Sequence, residues 1–184
     1  SPATATYVDD LISAAEASAA LITVAAQHSN WTGDRADSPE ITGRGGFTTC
    51  PNDATMTVAS CNSWSIQGLN SSNVIYVGEI NSNNSIPSWS NQAGDANKDR
   101  FIVASSDVMT SVSDGVPDGN SYAAPRAAGV GALIRHKFPN LNGSQAATVI
   151  LHTADDLGAT GVDEVYGHGK LNAGAALAPI GNLH

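Results

Sequence analysis

The sequence predicts an α/β layered fold built on a mostly parallel sheet, and three observations carry that reading. Short, continuous apolar runs recur at residues 21–26, 74–78 and 101–104. None of them alternates with polar residues, which is the pattern of strands covered on both faces, as in parallel sheets. Helical patterns lie before and after them, and strands combined with helices in this way belong to the layered α/β class.

The elements follow in chain order. Residues 7–20 read as an amphipathic helix, with Tyr7, Val8, Leu11, Ile12, Ala15 and Ala19 on one face. Asp9 and Asp10 occupy its first turn, where the helix dipole favours carboxylates. Leu21-Ile22-Thr23-Val24-Ala25-Ala26 is the first strand, expected to be buried on both faces. Residues 27–72 are rich in Gly, Asn, Ser, Thr and Asp and read as a long loop region with room for a short hairpin. Val74-Ile75-Tyr76-Val77-Gly78 and Phe101-Ile102-Val103-Ala104 are the second and third strands. Residues 121–137 form a helix of small apolar residues almost all round, from Ala123 to Ile134, so burial on all sides is expected. Arg135, His136 and Lys137 put cations at its carboxyl end, and Pro139 stops it. A further helix runs from near Ser144 to about His152, and a last one, capped by Asn172, covers Ala173 to Leu177.

Composition removes several function classes. The 184 residues suit one domain, and 41% apolar content supports a packed core. A net charge of −9 with only eight Lys or Arg leaves no basic stripe for nucleic acid or for an anionic membrane surface. No stretch approaches the roughly 20 apolar residues of a membrane helix. No basic-then-apolar leader opens the chain, so Ser1 reads as following a processing boundary. Cys50 and Cys61 bracket a polar loop. They are either two unrelated buried thiols or a disulfide. The preferred reading is the disulfide, which implies an oxidising compartment and about 3 kcal/mol from closing a short loop. No further Cys or His at ligand spacing makes them a zinc site.

The most informative segment is Asp118-Gly119-Asn120-Ser121-Tyr122-Ala123-Ala124-Pro125. A serine where a glycine-containing loop enters a helix sits beside unpaired N–H groups and the positive end of the dipole. Those N–H groups can stabilise an oxyanion when the serine attacks a carbonyl. On local sequence alone, Ser121 serves equally well as a helix cap. Pro125 is tolerated as a first-turn residue. An α/β-hydrolase elbow needs Gly two residues after its serine, where this chain has Ala123. Gly167-His168-Gly169-Lys170 lacks the spacing and the following Ser/Thr of a phosphate loop.

Gly119 to Pro125, followed by Ala127-Ala128-Gly129 and Ala132-Leu133, resembles the subtilase signature Gly-Thr-Ser-x-Ala-x-Pro-x-Val-Ala-Gly. Asn120 stands where Thr is usual and Ala127 where Val is usual. Thr153 to Gly158 and Val165-Tyr166-Gly167-His168-Gly169 resemble the closing segment of subtilases. Val74 to Gly78 and Ile86-Pro87-Ser88-Trp89-Ser90-Asn91 resemble the strand and turn that precede the serine. The resemblance runs in order from about residue 7 to 178. It implies a three-layer subtilisin-like fold, of which residues 1–184 are the carboxyl-terminal half, and a serine endopeptidase acting on polypeptides through an acyl-enzyme on Ser121.

The same resemblance shows what is missing. Subtilases order their triad Asp, His, Ser, with the Asp before a Gly and the His in a His-Gly-Thr setting. Neither motif occurs here, so those groups are expected from an amino-terminal half of the same domain, and the isolated chain is expected to be inactive. A substitute triad of Asp9 or Asp10, His28 and Ser121 fits poorly, because the carboxylates suit first-turn helix positions. His136, His152, His168 and His184 read as structural or surface residues. The family places its oxyanion Asn in an Ala-Ala-Gly-Asn run. Here the run reads Ala25-Ala26-Gln27-His28-Ser29-Asn30, so His28 takes that place without a gap and Asn30 with a two-residue insertion. One such donor is worth about 3 kcal/mol of transition-state stabilisation in subtilisin. Ala25, Ala26 and Gln27 resemble one wall of the substrate pocket, and Gln27, in place of Gly, would either narrow the pocket or displace the loop. The alternative is a non-catalytic binding or scaffold module, motivated by Asn120, Gln27 and His28.

A half-sheet with an open edge is expected to pair with the missing half or with a second copy. The cysteine reading and the resemblance together suggest secretion, to a periplasmic or extracellular place. No cofactor is required. Structural calcium has acidic loops around Asp34, Asp37, Asp95 and Asp99 to occupy, without a specific ligand pattern. Asn-x-Ser/Thr acceptors at Asn30, Asn70, Asn83 and Asn142 are at chance level in so Asn- and Ser-rich a chain.

Overall fold

The computed structural model describes residues 13–14, 17, 19–26, 71–87, 90–106 and 119–178. Its centre is a three-stranded parallel sheet in the order β1 (Ile22–Ala25), β2 (Val74–Ile80), β3 (Phe101–Ser105). Ile22 stands beside Val74, and Tyr76 beside Phe101. The helices are α1 (Gly94–Asn97), followed by a single 3-10 turn, then α2 (Asn120–Lys137), α3 (Gly143–His152) and α4 (Ala173–Leu177). The α/β class and the parallel sheet are therefore present as the apolar runs predicted.

The sheet splits the core in two because strand side chains alternate between faces. Ile75 and Val77 of β2, with Ile102 and Ala104 of β3, face α2, α3 and α4. Ala123, Ala127, Val130 and Ile134 of α2 meet Ala146, Ala147 and Ile150 of α3 and Ala176 of α4 in this layer. Tyr76, Ile80, Phe101 and Val103 point the other way, where Ala93, Ile86, Leu157 and Tyr166 cover them. Burial raises the Tyr76 phenol above its ordinary pKa, only partly offset by Arg100.

Every residue of β2 is buried, as the middle strand requires. β1, expected to be buried on both faces, is only half-buried. Among the described residues it pairs on one side alone, with β2. β3 is closed on its far side by the closing bend: His168 N–H donates to Phe101 O at 2.8 Å, Val103 N–H to Gly169 O at 2.9 Å and Leu171 N–H to Val103 O at 2.8 Å. β2 also runs two residues beyond its predicted end, to include Glu79 and Ile80.

α2 corrects the largest expectation. Its residues are small and apolar almost all round, yet only the stripe Ala123, Ala124, Ala127, Val130, Gly131 and Ile134 is buried, together with Asn120. Ala128, Gly129, Ala132 and Leu133 are exposed, Leu133 at 51%. Composition cannot tell a helix with one partner layer from a helix with two. Close approach on the buried side is secured at Gly131, where a Cβ would lie 2.2 Å from Leu21 Cδ2. Pro125 is the sixth residue of α2, not a first-turn residue, so the helix lacks the N–H that would reach the Ser121 carbonyl.

The remaining helix ends follow local rules. Asn142 Oδ1 accepts from Gln145 N–H and Gln145 Oε1 accepts from Asn142 N–H, both at 2.9 Å, a reciprocal capping box for α3. Asn172 Oδ1 accepts from Ala175 N–H at 2.8 Å and starts α4 as the sequence predicted. Ser13, Ala14 and Ala17 are helical and exposed. Ala19, expected on that helix's apolar face, instead turns the chain with φ 51°. Its carbonyl accepts from Gly143 N–H at 2.7 Å, fixing the start of α3 beside the entry to β1. Among the described residues no helix is long and apolar enough to cross a membrane.

Adjacent residues of α2 test this division. Ile134 is fully buried, and Ile134→Ala is expected to cost about 2–5 kcal/mol in urea unfolding of the chain. Leu133→Ala is expected to stay within about 0.5 kcal/mol of the parent, because that side chain is largely exposed. Equal losses at both positions would contradict a one-sided α2.

Candidate active site

The site begins at the entry to α2. Gly119, the residue before the helix, adopts φ 144° and ψ 151°, a conformation that excludes most side chains. It turns the chain so that Asn120 points into the protein and Ser121 out of it: Asn120 is 1% exposed and Ser121 is exposed. The capping position belongs to Gly119, and no side chain caps this end. Ser121 is the second helical residue, where the backbone N–H has no partner within the helix. Tyr122, 36% exposed, stands next to it, and its N–H donates to Gly119 O at 2.9 Å.

Beneath Ser121 lies a group of buried polar side chains: Glu79, Ser90, Ser106 and Asn120. Ser90 Oγ donates to Asn120 Oδ1 at 2.9 Å. Ser106 Oγ donates to Glu79 Oε1 at 3.0 Å, and Glu79 N–H donates to Ser90 Oγ at 3.4 Å. Leaving a polar group unsatisfied at such depth costs about 1–3 kcal/mol, so these residues constrain one another. The sequence reading passed over this group. A polar residue closing an apolar run, Glu79 after Val74 to Gly78, was the available signal.

At the carboxyl end of β1, Ala26 N–H donates to Val77 O at 2.9 Å. Asn91 Nδ2 donates to Ala26 O, also at 2.9 Å. Ala25 is half-buried and Ala26 buried, so these two pocket candidates sit where β1 leaves the sheet. Gln27 and the oxyanion candidates His28 and Asn30 lie outside the described residues, as do Cys50 and Cys61, Asp34 and Asp37. The ends of β1 and β2 and the start of α2 therefore meet on one side of the sheet, the usual place for a site in an open parallel sheet.

The described histidines stand elsewhere. His136 is at the far end of α2, about 22 Å from Ser121 along the helix axis at 1.5 Å per residue. His152 ends α3 and meets His168 edge-on, with ring centroids 5.5 Å apart. His168 Nε2 lies 3.1 Å from Asp99 O. Burial first, and then His152, push the His168 pKa below the ordinary histidine value, against the raising effect of Asp99. Asp95 is exposed and paired with Lys98 at 2.6 Å, which lowers the carboxyl pKa and raises that of the ammonium. Among the described residues no group of three or more His, Cys, Asp or Glu is placed to hold a metal ion.

Comparison with known proteins gives a consistent answer. The family profile described as the subtilase family matches residues 3–169. An extracellular serine protease of Serratia marcescens is 41% identical over 58 residues, covering 32% of this chain and 6% of that protein. The Neisserial autotransporter lipoprotein NalP of Neisseria meningitidis serogroup B is 42% identical over 59 residues, 32% of this chain and 6% of that one. Among solved structures, MycP1 from Mycobacterium smegmatis is 26% identical with a TM-score of 0.47, covering 57% of this chain and 30% of that chain. The matches thus take in only a small part of each relative's length.

The His168 environment has a sign that can be measured. A base whose folded pKa is depressed binds its proton more readily in the unfolded chain, so stability is retained above about pH 6.5 and lost as pH falls toward the folded value. The melting temperature is expected to fall between pH 7 and pH 5, and His168→Gln to remove part of that slope. An unchanged slope in the variant would show that His168 contributes nothing to it.

Proposed function

The chain belongs to the subtilase family, and on that premise we propose that Ser121 is the nucleophile of a serine endopeptidase. The carrying observation is the exposed hydroxyl at the second residue of α2, held over a buried polar floor at the carboxyl ends of parallel strands. In the proposed reaction Ser121 Oγ attacks the carbonyl carbon of a peptide bond and its proton passes to an imidazole. Backbone N–H groups at the entry of α2 face the developing oxyanion. The C–N bond then breaks, the amine leaves with the proton, and water hydrolyses the acyl-enzyme by the reverse sequence. Either His28 or Asn30, just beyond β1, supplies the side-chain oxyanion donor, while Ala25, Ala26 and Gln27 form part of the pocket.

The imidazole and its orienting carboxylate come, in this reading, from the amino-terminal half of the same domain, which pairs with this chain. Two features support such a partner. β1 has an open edge among the described residues, and α2 exposes Leu133 with Ala128, Gly129 and Ala132. Covering Leu133 would give α2 the second apolar layer that its composition suits, and a strand added to β1 would close the edge of the sheet. Structural calcium and a Cys50–Cys61 disulfide remain parts of this proposal. The two relatives are named as an extracellular protease and an autotransporter lipoprotein, which supports placing this chain's action outside the cytoplasm.

A second reading, a non-catalytic binding module, is favoured by Asn120, whose side-chain oxygen is turned toward Ser90 and buried. Co-expression with the polypeptide encoded immediately upstream separates the two. The endopeptidase reading expects a stable complex in which a fluorophosphonate labels Ser121 and peptide hydrolysis appears. It also expects Ser121→Ala to abolish labelling and Leu133→Asp to weaken assembly at least tenfold, the cost of burying a carboxylate in an apolar contact. A folded complex that resists labelling would leave the binding module. A well-behaved monomer of the isolated chain by light scattering would count against an open sheet edge.

A further inference from the structure

Resting on the peptidase reading above, we infer that Ser90 and Asn91 are positioning residues that set the nucleophile and the oxyanion side of the site from one loop. The nucleophile stands on α2 and the oxyanion segment follows β1. These parts are far apart in sequence. The loop after β2 bonds to both. Ser90 Oγ reaches Asn120 Oδ1, next to Ser121, at 2.9 Å. Asn91 Nδ2 reaches Ala26 O, at the end of β1, at 2.9 Å.

The loop is itself fixed. Ser90 N–H donates to Pro87 O at 2.9 Å, and the Ser90 hydroxyl accepts from Glu79 N–H of β2 at 3.4 Å. Ala93 N–H donates to Val165 O at 3.2 Å and Gly94 N–H to Glu164 O at 2.8 Å, tying the loop's far end to the closing segment. Ser90 is 4% exposed, so its hydroxyl works without competition from bulk water. The Asn91 contact is specific to a donor, since it meets a carbonyl oxygen. Catalytic groups misplaced by about 1 Å lose on the order of a hundredfold in rate, so a shared anchor for attack and oxyanion binding would act on the chemical step more than on substrate affinity.

Four variants test the assignment: Ser90→Ala, Ser90→Thr, Asn91→Asp and Asn91→Leu. Amide hydrogen exchange of the folded chain reads the clip without any need for activity. Losing one hydrogen bond, worth about tenfold in a local equilibrium, is expected to speed exchange of the Tyr122 amide by roughly that factor in Ser90→Ala. Asn91→Asp and Asn91→Leu should do the same at the Ala26 amide. Amides of Ile134 and Ile150 should not change, and Ser90→Thr should restore the parent value at Tyr122. In the reassembled enzyme, the Ala, Asp and Leu variants should lower kcat at least tenfold with KM within twofold, and Ser90→Thr should recover kcat. Exchange that rises throughout the chain, or that does not change at Tyr122 and Ala26, overturns the assignment, as does a loss confined to KM. If the exchange pattern holds while the parent complex hydrolyses nothing, the peptidase reading falls and the clip remains.

Discussion

The packing of α2 against one face of the parallel sheet is the contact on which the other features rest. Ala123, Ala127, Val130 and Ile134 lie over Ile75, Val77, Ile102 and Ala104, and the small residues let the helix axis come close. α3 and α4 are placed by α2 more than by the sheet, through Ala146, Ala147, Ile150 and Ala176. Gly131 sets the distance at the point where Leu21 leads into β1. Because the helix is anchored by apolar burial along its length, its amino-terminal turn can be left to polar chemistry.

That turn shows how an exposed serine is kept outward on a firmly held backbone. Asn120 is drawn inward to Ser90 while Gly119 supplies the backbone angles that a side chain would oppose. Ser121, one residue on, is thereby directed to solvent. Glu79 and Ser106 lie in the same buried floor, so the site stands on hydrogen bonds whose loss is costly, not on apolar contacts that tolerate sliding. Direction is what hydrogen bonds add and apolar packing lacks.

The same molecule carries surfaces that contrast with this economy of form. The exposed side of α2 and the outer edge of β1 are made of residues that sheets and cores use, Leu133 among them. On the opposite edge, β3 is closed by residues 168–171 through backbone bonds. Among the described residues one edge is finished and the other is open, which is the edge that the proposed partner would cover.

Much of this was legible in order along the chain. The apolar runs gave all three strands, Asn172 gave the start of α4, and the Gly119 to Pro125 segment gave the helix entry and its exposed serine. These are local patterns, set by backbone sterics and by side chains within four residues of one another. What stayed hidden depends on partners far away. The Ser90–Asn120 bond spans 30 residues and the Asn91–Ala26 bond 65, and neither has a periodic signature. Which face of α2 is buried was equally undecidable from a helix small and apolar all round, because the pattern names the residues that suit a core without naming the layer that covers them. The amino-acid sequence by itself determined the three strands, the three helices that follow them and the family, and it singled out Ser121. Only the tertiary structure decided what holds Ser121 in place and which of the apolar faces has no cover within the described chain, because both depend on where distant segments meet.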